Sequence, residues 1–149
     1  MKRHELMDLL PNEQLERVFR DAMCDIDFEF MGFTEQYKVL ATIIPKNRII
    51  FDFGCAYAPQ CYYFKEHRRY IGVDKWEDFP RFHMNNTIHY TMSIQQFIRD
   101  ELPIITRAYD MRNTFAICNY VPDDEATALV RATFPNTFVF YPYKEDNEL

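Results

Sequence analysis

From Arg48 onward the chain alternates short apolar runs with segments of helical period, and this alternation constrains its fold more than any other feature. Arg48-Ile49-Ile50-Phe51-Asp52-Phe53 is apolar at consecutive positions and too short for a helix. That is the pattern of a strand covered on both faces. A turn at 54–59 and a predicted helix over 60–67 lead to a second run, Tyr70-Ile71-Gly72-Val73-Asp74. Residues 87–92 read as a third strand. Ser93-Ile94-Gln95-Gln96 is a capping box, opening a helix expected to bury Ile94, Phe97, Ile98 and Leu102. Residues 114–118 form a fourth run. Asp123-Asp124-Glu125 places acids in the first turn of a helix reaching about Thr133, and residues 137–141 are a fifth strand. Strands separated by helices imply a parallel sheet with right-handed crossovers, hence an α/β fold.

Upstream, residues 1–44 read as helical. Leu15, Val18, Phe19, Ala22 and Met23 make one apolar stripe. A second helix is predicted from Thr34, burying Tyr37, Leu40, Ala41 and Ile44 and stopped by Pro45. The 149 residues fit a single domain, with 1–44 as a helical cap and 45–149 as the core. No run approaches the roughly 20 apolar residues that span a bilayer, and Met1-Lys2-Arg3-His4-Glu5 leads into no apolar signal segment. The four cysteines have no zinc-type spacing, and the four histidines form no ligand motif, so no metal is expected. Reduced thiols fit a cytoplasmic protein. A net charge of −6 argues against a nucleic-acid grip, which needs a basic surface.

In parallel sheets ligands bind beyond the carboxyl ends of the strands. Four tips matter by that rule: 52–58, 74–76, 92–94 and 118–122. At the first, Asp52-Phe53-Gly54-Cys55-Ala56-Tyr57-Ala58 places small residues at alternate positions, where backbone can turn tightly and approach a ligand. At the second, Asp74 ends a strand, and a carboxylate there can accept hydrogen bonds from both hydroxyls of a ribose. At the third, Ser93 reads first as a helix cap. At the fourth, Asn119 and Tyr120 begin a turn.

The stretch 49–76, IIFDFGCAYAPQCYYFKEHRRYIGVDKW, resembles the cofactor-binding half of the Rossmann-like (class I) S-adenosylmethionine methyltransferases. Their first motif runs acidic-x-Gly-x-Gly-x-Gly, and their second ends a strand in an acid. The resemblance implies a sheet of order 3-2-1-4-5. It assigns cofactor contacts to Asp52, Gly54, Ala56, Ala58 and Asp74, to Lys75 and Trp76 against adenine, and to Ser93 and Ile94 at the third tip. Asn119 and Tyr120 fall where many relatives orient the methyl acceptor, here a small molecule or a protein. The implied cofactor is S-adenosylmethionine, with S-adenosylhomocysteine as product. The sequence departs from the motif in three places. Alanine stands at two glycine positions, which predicts a reshaped loop because alanine resists positive φ. An acid is missing at the third tip. The sheet is expected to stop after five strands, without the family's terminal antiparallel hairpin. A methyltransferase-like module that acts through a protein partner without catalysis is the alternative. A nicotinamide dinucleotide fold is a rival reading, with Gly54, Ala56 and Pro59 in its glycine positions. The last strand, apolar on both faces, needs cover, and a homodimer through it is expected.

Overall fold

A computed structural model describes residues 34–77, 81–119 and 121–140. The expected stripe at 15–23 and Tyr120 lie outside these residues. Helix α1 (Thr34–Ile43) leads through Pro45 into β1 (Ile49–Phe53). A 3-10 turn (Pro59–Phe64) connects β1 to β2 (Arg69–Asp74), followed by β3 (Thr87–Thr91). Helix α2 covers residues 94–105, β4 is Thr114–Asn119, α3 is Asp124–Thr133 and β5 is Thr137–Phe140. The five strands form one parallel sheet in the order β3-β2-β1-β4-β5. No helix among the described residues is long and apolar enough to cross a membrane.

Every residue of β1 is buried, as its unbroken apolar run requires for a strand hydrogen-bonded on both edges. Alternation then divides the core in two. Ile49, Phe51 and Phe53 point to one face, where Ile71, Val73, Phe97, Val130 and Phe134 join them beneath α2 and α3. Ile50 points to the other face, where Tyr70, Ile117, Phe64 and Phe82 meet Tyr37, Leu40 and Ala41 of α1 and Ile44 just after it. The four positions of this segment expected to be buried are therefore all buried.

Three local details differ from the sequence reading. The segment after the first turn is a six-residue 3-10 helix, not an α-helix reaching His67. Helix α2 contains a π-turn at Phe97–Glu101. Pro103 accounts for it, because proline has no N–H and its ring crowds the carbonyl four residues earlier, so the turn upstream widens. Of the four positions expected to face the core on α2, Phe97 and Leu102 are buried, whereas Ile94 and Ile98 are half-exposed. β5 pairs only with β4, and its four residues are all half-buried. Phe138 stacks on Phe115 with ring centroids 5.9 Å apart.

Candidate functional site

A cavity of about 420 Å³ opens at the carboxyl ends of β1, β2, β3 and β4. That size suits a small organic ligand, for which roughly 300–1,000 Å³ is usual. Its lining is mostly apolar, with Val73, Met92, Ile94, Val121 and Ala126 among the walls.

The loop after β1 forms one side. Gly54 has φ 77°, and Ala56 and Ala58 have φ 50° and 56°. The sequence reading has alanine resisting positive φ, yet all three alternate positions are left-handed. An alanine in this region costs about 1–2 kcal/mol, so the surroundings must hold it there. The Gly54 N–H donates to the Val73 carbonyl at 2.8 Å, and the Ala58 N–H donates to the Cys55 carbonyl at 2.8 Å. The Ala56 N–H donates to Asp74 Oδ2 at 2.9 Å. Gly54 also lies close to the β4 tip, where a Cβ would stand 3.3 Å from Val121 Cγ2.

Asp74 is buried in the cavity wall. Besides the Ala56 N–H it accepts from the Trp76 N–H at 2.9 Å through Oδ1. It therefore ties the first two tips together, and each oxygen keeps a lone pair for another donor. Lys75 and Trp76 follow it into the lining. Trp76 is 57% exposed, and the Lys75 ammonium sits 5.5 Å from its ring centre. The Arg81 guanidinium, unremarked in the sequence, donates to the Asp74, Trp76 and Tyr90 carbonyls and so anchors this loop to β3.

Ser93 and Ile94 line the opposite wall. Ser93 Oγ accepts from the Gln96 N–H at 3.1 Å, the cap expected from the sequence. Gln95 reaches across to donate to Asp123 Oδ2 at 2.9 Å. Asp123 caps α3 through the Ala126 N–H at 3.1 Å. Hydrogen bonding from Gln95, then from that N–H, holds the Asp123 carboxyl below its ordinary range.

Asp52 and Ala58 do not line the cavity; both are fully buried behind it. Asp52 accepts from the Tyr37 hydroxyl at 2.8 Å, from Gln60 Nε2 at 2.7 Å and from the Tyr70 hydroxyl. Burial raises its carboxyl to about 6, with the three donors opposing the rise. Tyr37 and Gln60 themselves line the cavity, as does Asn119. Neither Tyr37 nor Gln60 was singled out from sequence. Tyr37 reads as core by its helical position. Gln60 carries a faint signal as the one strongly polar residue in Pro59-Gln60-Cys61-Tyr62-Tyr63-Phe64. Burial pushes the Cys55 thiol, also in the lining, well above its ordinary value.

Beside this wall Gly72 leaves room for its neighbours. A Cβ there would lie 2.5 Å from His89 Nδ1 and 2.9 Å from Cys55 Sγ. His83 packs against His89, with ring centroids 5.9 Å apart, and is not part of the lining. No group of three metal-ligating side chains occurs among the described residues.

Comparison with protein-family models, with curated proteins and with solved structures finds no match to this chain.

Proposed function

We propose that the cavity binds S-adenosylmethionine and that the protein transfers its methyl group to a small-molecule or protein acceptor. The observation that carries this reading is the left-handed trio Gly54, Ala56 and Ala58 at the tip of β1, clasped by the Asp74 carboxylate beside a cavity of suitable size. The resemblance drawn from the motif expects glycine at those positions because such φ values are needed there, and this chain adopts them with alanine in two of the three.

On this reading Asp74 receives the ribose hydroxyls on its remaining lone pairs. Trp76 and Ile94 pack against the base, and Gly54 and Ala56 present backbone to the rest of the ligand. When bound, the cofactor supplies a methyl group already activated on a sulfonium. The protein's task is then to align donor and acceptor and to exclude water, a proximity effect. Asn119 lies at the cavity end of β4, on the acceptor side in this scheme. Tyr120 lies outside the described residues.

A dinucleotide fits less well. Its diphosphate needs an α-helix N-terminus after the glycine turn, and here Pro59 opens a 3-10 turn of six residues. Lys75 is the only basic side chain in the described lining, which also carries Asp74 and Asp123.

Calorimetry with S-adenosylmethionine, S-adenosylhomocysteine and NAD tests the reading. Heat is expected with the first two and not with NAD. Silence with both at about 1 mM, where sites worth roughly −4 kcal/mol still register, overturns it. Asp74→Ala is expected to weaken binding at least about tenfold. It should also lower thermal stability, because two backbone N–H groups lose their acceptor.

A further inference from the structure

In a parallel sheet the segments that lead into the strands all lie at one end, here the end opposite the cavity. Three of them serve the adjacent strands β2, β1 and β4, and all three are basic. The loop into β1 carries Lys46 and Arg48. The loop into β2 carries Lys65 and Arg68, and Arg69 opens the strand. The segment into β4 carries Arg107 and Arg112. These segments meet. The Arg68 N–H donates to the Lys46 carbonyl at 2.8 Å, and the Arg68 guanidinium lies 4.8 Å from the Tyr109 ring centre.

The acids in these segments are Glu66 and Asp110, and each is matched: Glu66 to Lys46 at 3.6 Å, Asp110 to Arg112 at 2.7 Å. Arg48, Lys65, Arg68, Arg69 and Arg107 have no carboxylate partner among the described residues. Arg69 Nε is buried and has no hydrogen-bond partner there at all. A basic run at the end of an α-helix needs no partner, because it complements the helix dipole. The 65–69 run instead follows a 3-10 turn of six residues. Its basic neighbours come from other parts of the chain, and cations gathered in this way repel one another until an anion joins them.

The net charge of −6 conceals this end of the molecule. Glu77, Asp123, Asp124 and Glu125 lie at the cavity end, beyond β2 and β4. Strands of five or six residues separate the two ends, a distance of about 16–20 Å. Charge is screened over roughly 8 Å at physiological salt, so an anion at the basic end is little repelled by the acidic one.

We propose that the basic end of the sheet binds the phosphate backbone of a nucleic-acid duplex. The inference is independent of what the cavity holds. Arg48, Arg68, Arg69 and Arg107 make the unmatched cations mostly arginine, whose forked donors fit phosphate oxygens. Tyr62 and Tyr109 each already carry a cation, Lys65 at 4.2 Å and Arg68 at 4.8 Å. The end therefore presents charge, and not free rings on which the bases of a single strand would stack. A bilayer suits it less. Ile43 and Ile104 are exposed at the helix ends nearby, but the single tryptophan, Trp76, lies at the cavity end. Interfacial anchoring calls for a continuous apolar face.

Fluorescence anisotropy of the full chain with a labelled duplex of about 20 base pairs, across a salt series, is the test. Micromolar binding at about 50 mM NaCl is expected, weakening at least about a hundredfold by about 200 mM, a log–log slope near about −4. Lys65 and Arg107 are exposed. Lys65→Gln with Arg107→Gln should weaken binding at least about tenfold and make the slope shallower by about 2. Lys38→Gln with Arg99→Gln removes the same charge from exposed sites on α1 and α2 and should leave affinity within about twofold. Circular dichroism checks that both double variants fold. Equal losses in the two double variants, or no duplex binding at the lower salt, overturn the proposal. Tighter binding of the corresponding single strand overturns the assignment to a duplex. Capture by phosphatidylserine-containing vesicles without duplex binding gives the face to a membrane and overturns it as well.

Discussion

Phe51 and Asp52 are chain neighbours in the central strand and are equally buried, but they sit on opposite faces of the sheet and their surroundings have nothing in common. The Phe51 ring lies 5.0 Å from Phe134, 6.0 Å from Phe97 and 6.4 Å from Phe53, centre to centre. That face is held by shape and dispersion alone. On the other face the same depth contains a carboxylate, two phenols and an amide joined by hydrogen bonds. Burial without partners would make the charge prohibitively costly, so the second face is specified by donors and acceptors instead of volume. The face that spends stability on a buried acid is the one whose network reaches the cavity through Gln60 and Tyr37.

The contrast is broken most severely on the apolar side. Phe51→Ala should cost about 3–5 kcal/mol through lost burial and the cavity left among Phe53, Phe97 and Phe134. Urea unfolding measures it. A loss under about 1 kcal/mol would mean that the aromatic face repacks freely and is not the rigid half of the core.

The polar face should reveal itself through pH. The Asp52 carboxyl is raised from 3.8 to about 6, so its contribution is present below about pH 4 and is lost as pH rises through 6. His89 is lowered from 6.5 to about 4, chiefly by burial, so its contribution is present above about 6.5 and is lost as pH falls through 4. Each amounts to something on the order of 2–3 kcal/mol. The two oppose one another between pH 4 and 6. Asp52→Asn removes one of them, and the variant's denaturation midpoint should fall more steeply on acidification across that window than the parent's. Parallel pH profiles for parent and variant would show that Asp52 titrates normally.

The smallest expected effect lies where the two faces meet the cavity. Ala56→Gly relieves a left-handed alanine, worth about 1–2 kcal/mol, and loses about 0.5–1 kcal/mol to the greater freedom of glycine in the unfolded chain. A net gain of up to about 1 kcal/mol in the denaturant midpoint is expected. A clear loss would mean that the loop is not held at positive φ. Ala58→Gly should gain less, because that methyl group is fully buried.

The strands, their tips and the capping role of Ser93 were legible because each depends on residues close in sequence. Consecutive apolar residues specify a two-sided strand, and a hydroxyl three positions before an N–H specifies a cap. The same local logic misjudged the loop after β1. Alanine's preference against positive φ is real, but Asp74, 18 positions away, holds the Ala56 N–H in place and outweighs it. The π-turn in α2 was readable in principle from Pro103. The Gln95–Asp123 bridge was not, since its partners are 28 positions apart and meet only when α2 and α3 dock side by side.

Asp52 marks the boundary between the two kinds of information. Its place at the end of β1, and its burial there, follow from the apolar run around it. Whether it would touch a ligand or stand behind the wall depended on which donors packing delivered to it. These are Tyr37 from 15 positions upstream and Tyr70 from 18 positions downstream. A one-dimensional pattern records that a carboxylate is present and which face of a strand it occupies. Only the tertiary structure supplies its partners, because hydrogen bonds between distant residues exist only once the helix and sheet that carry them have packed together.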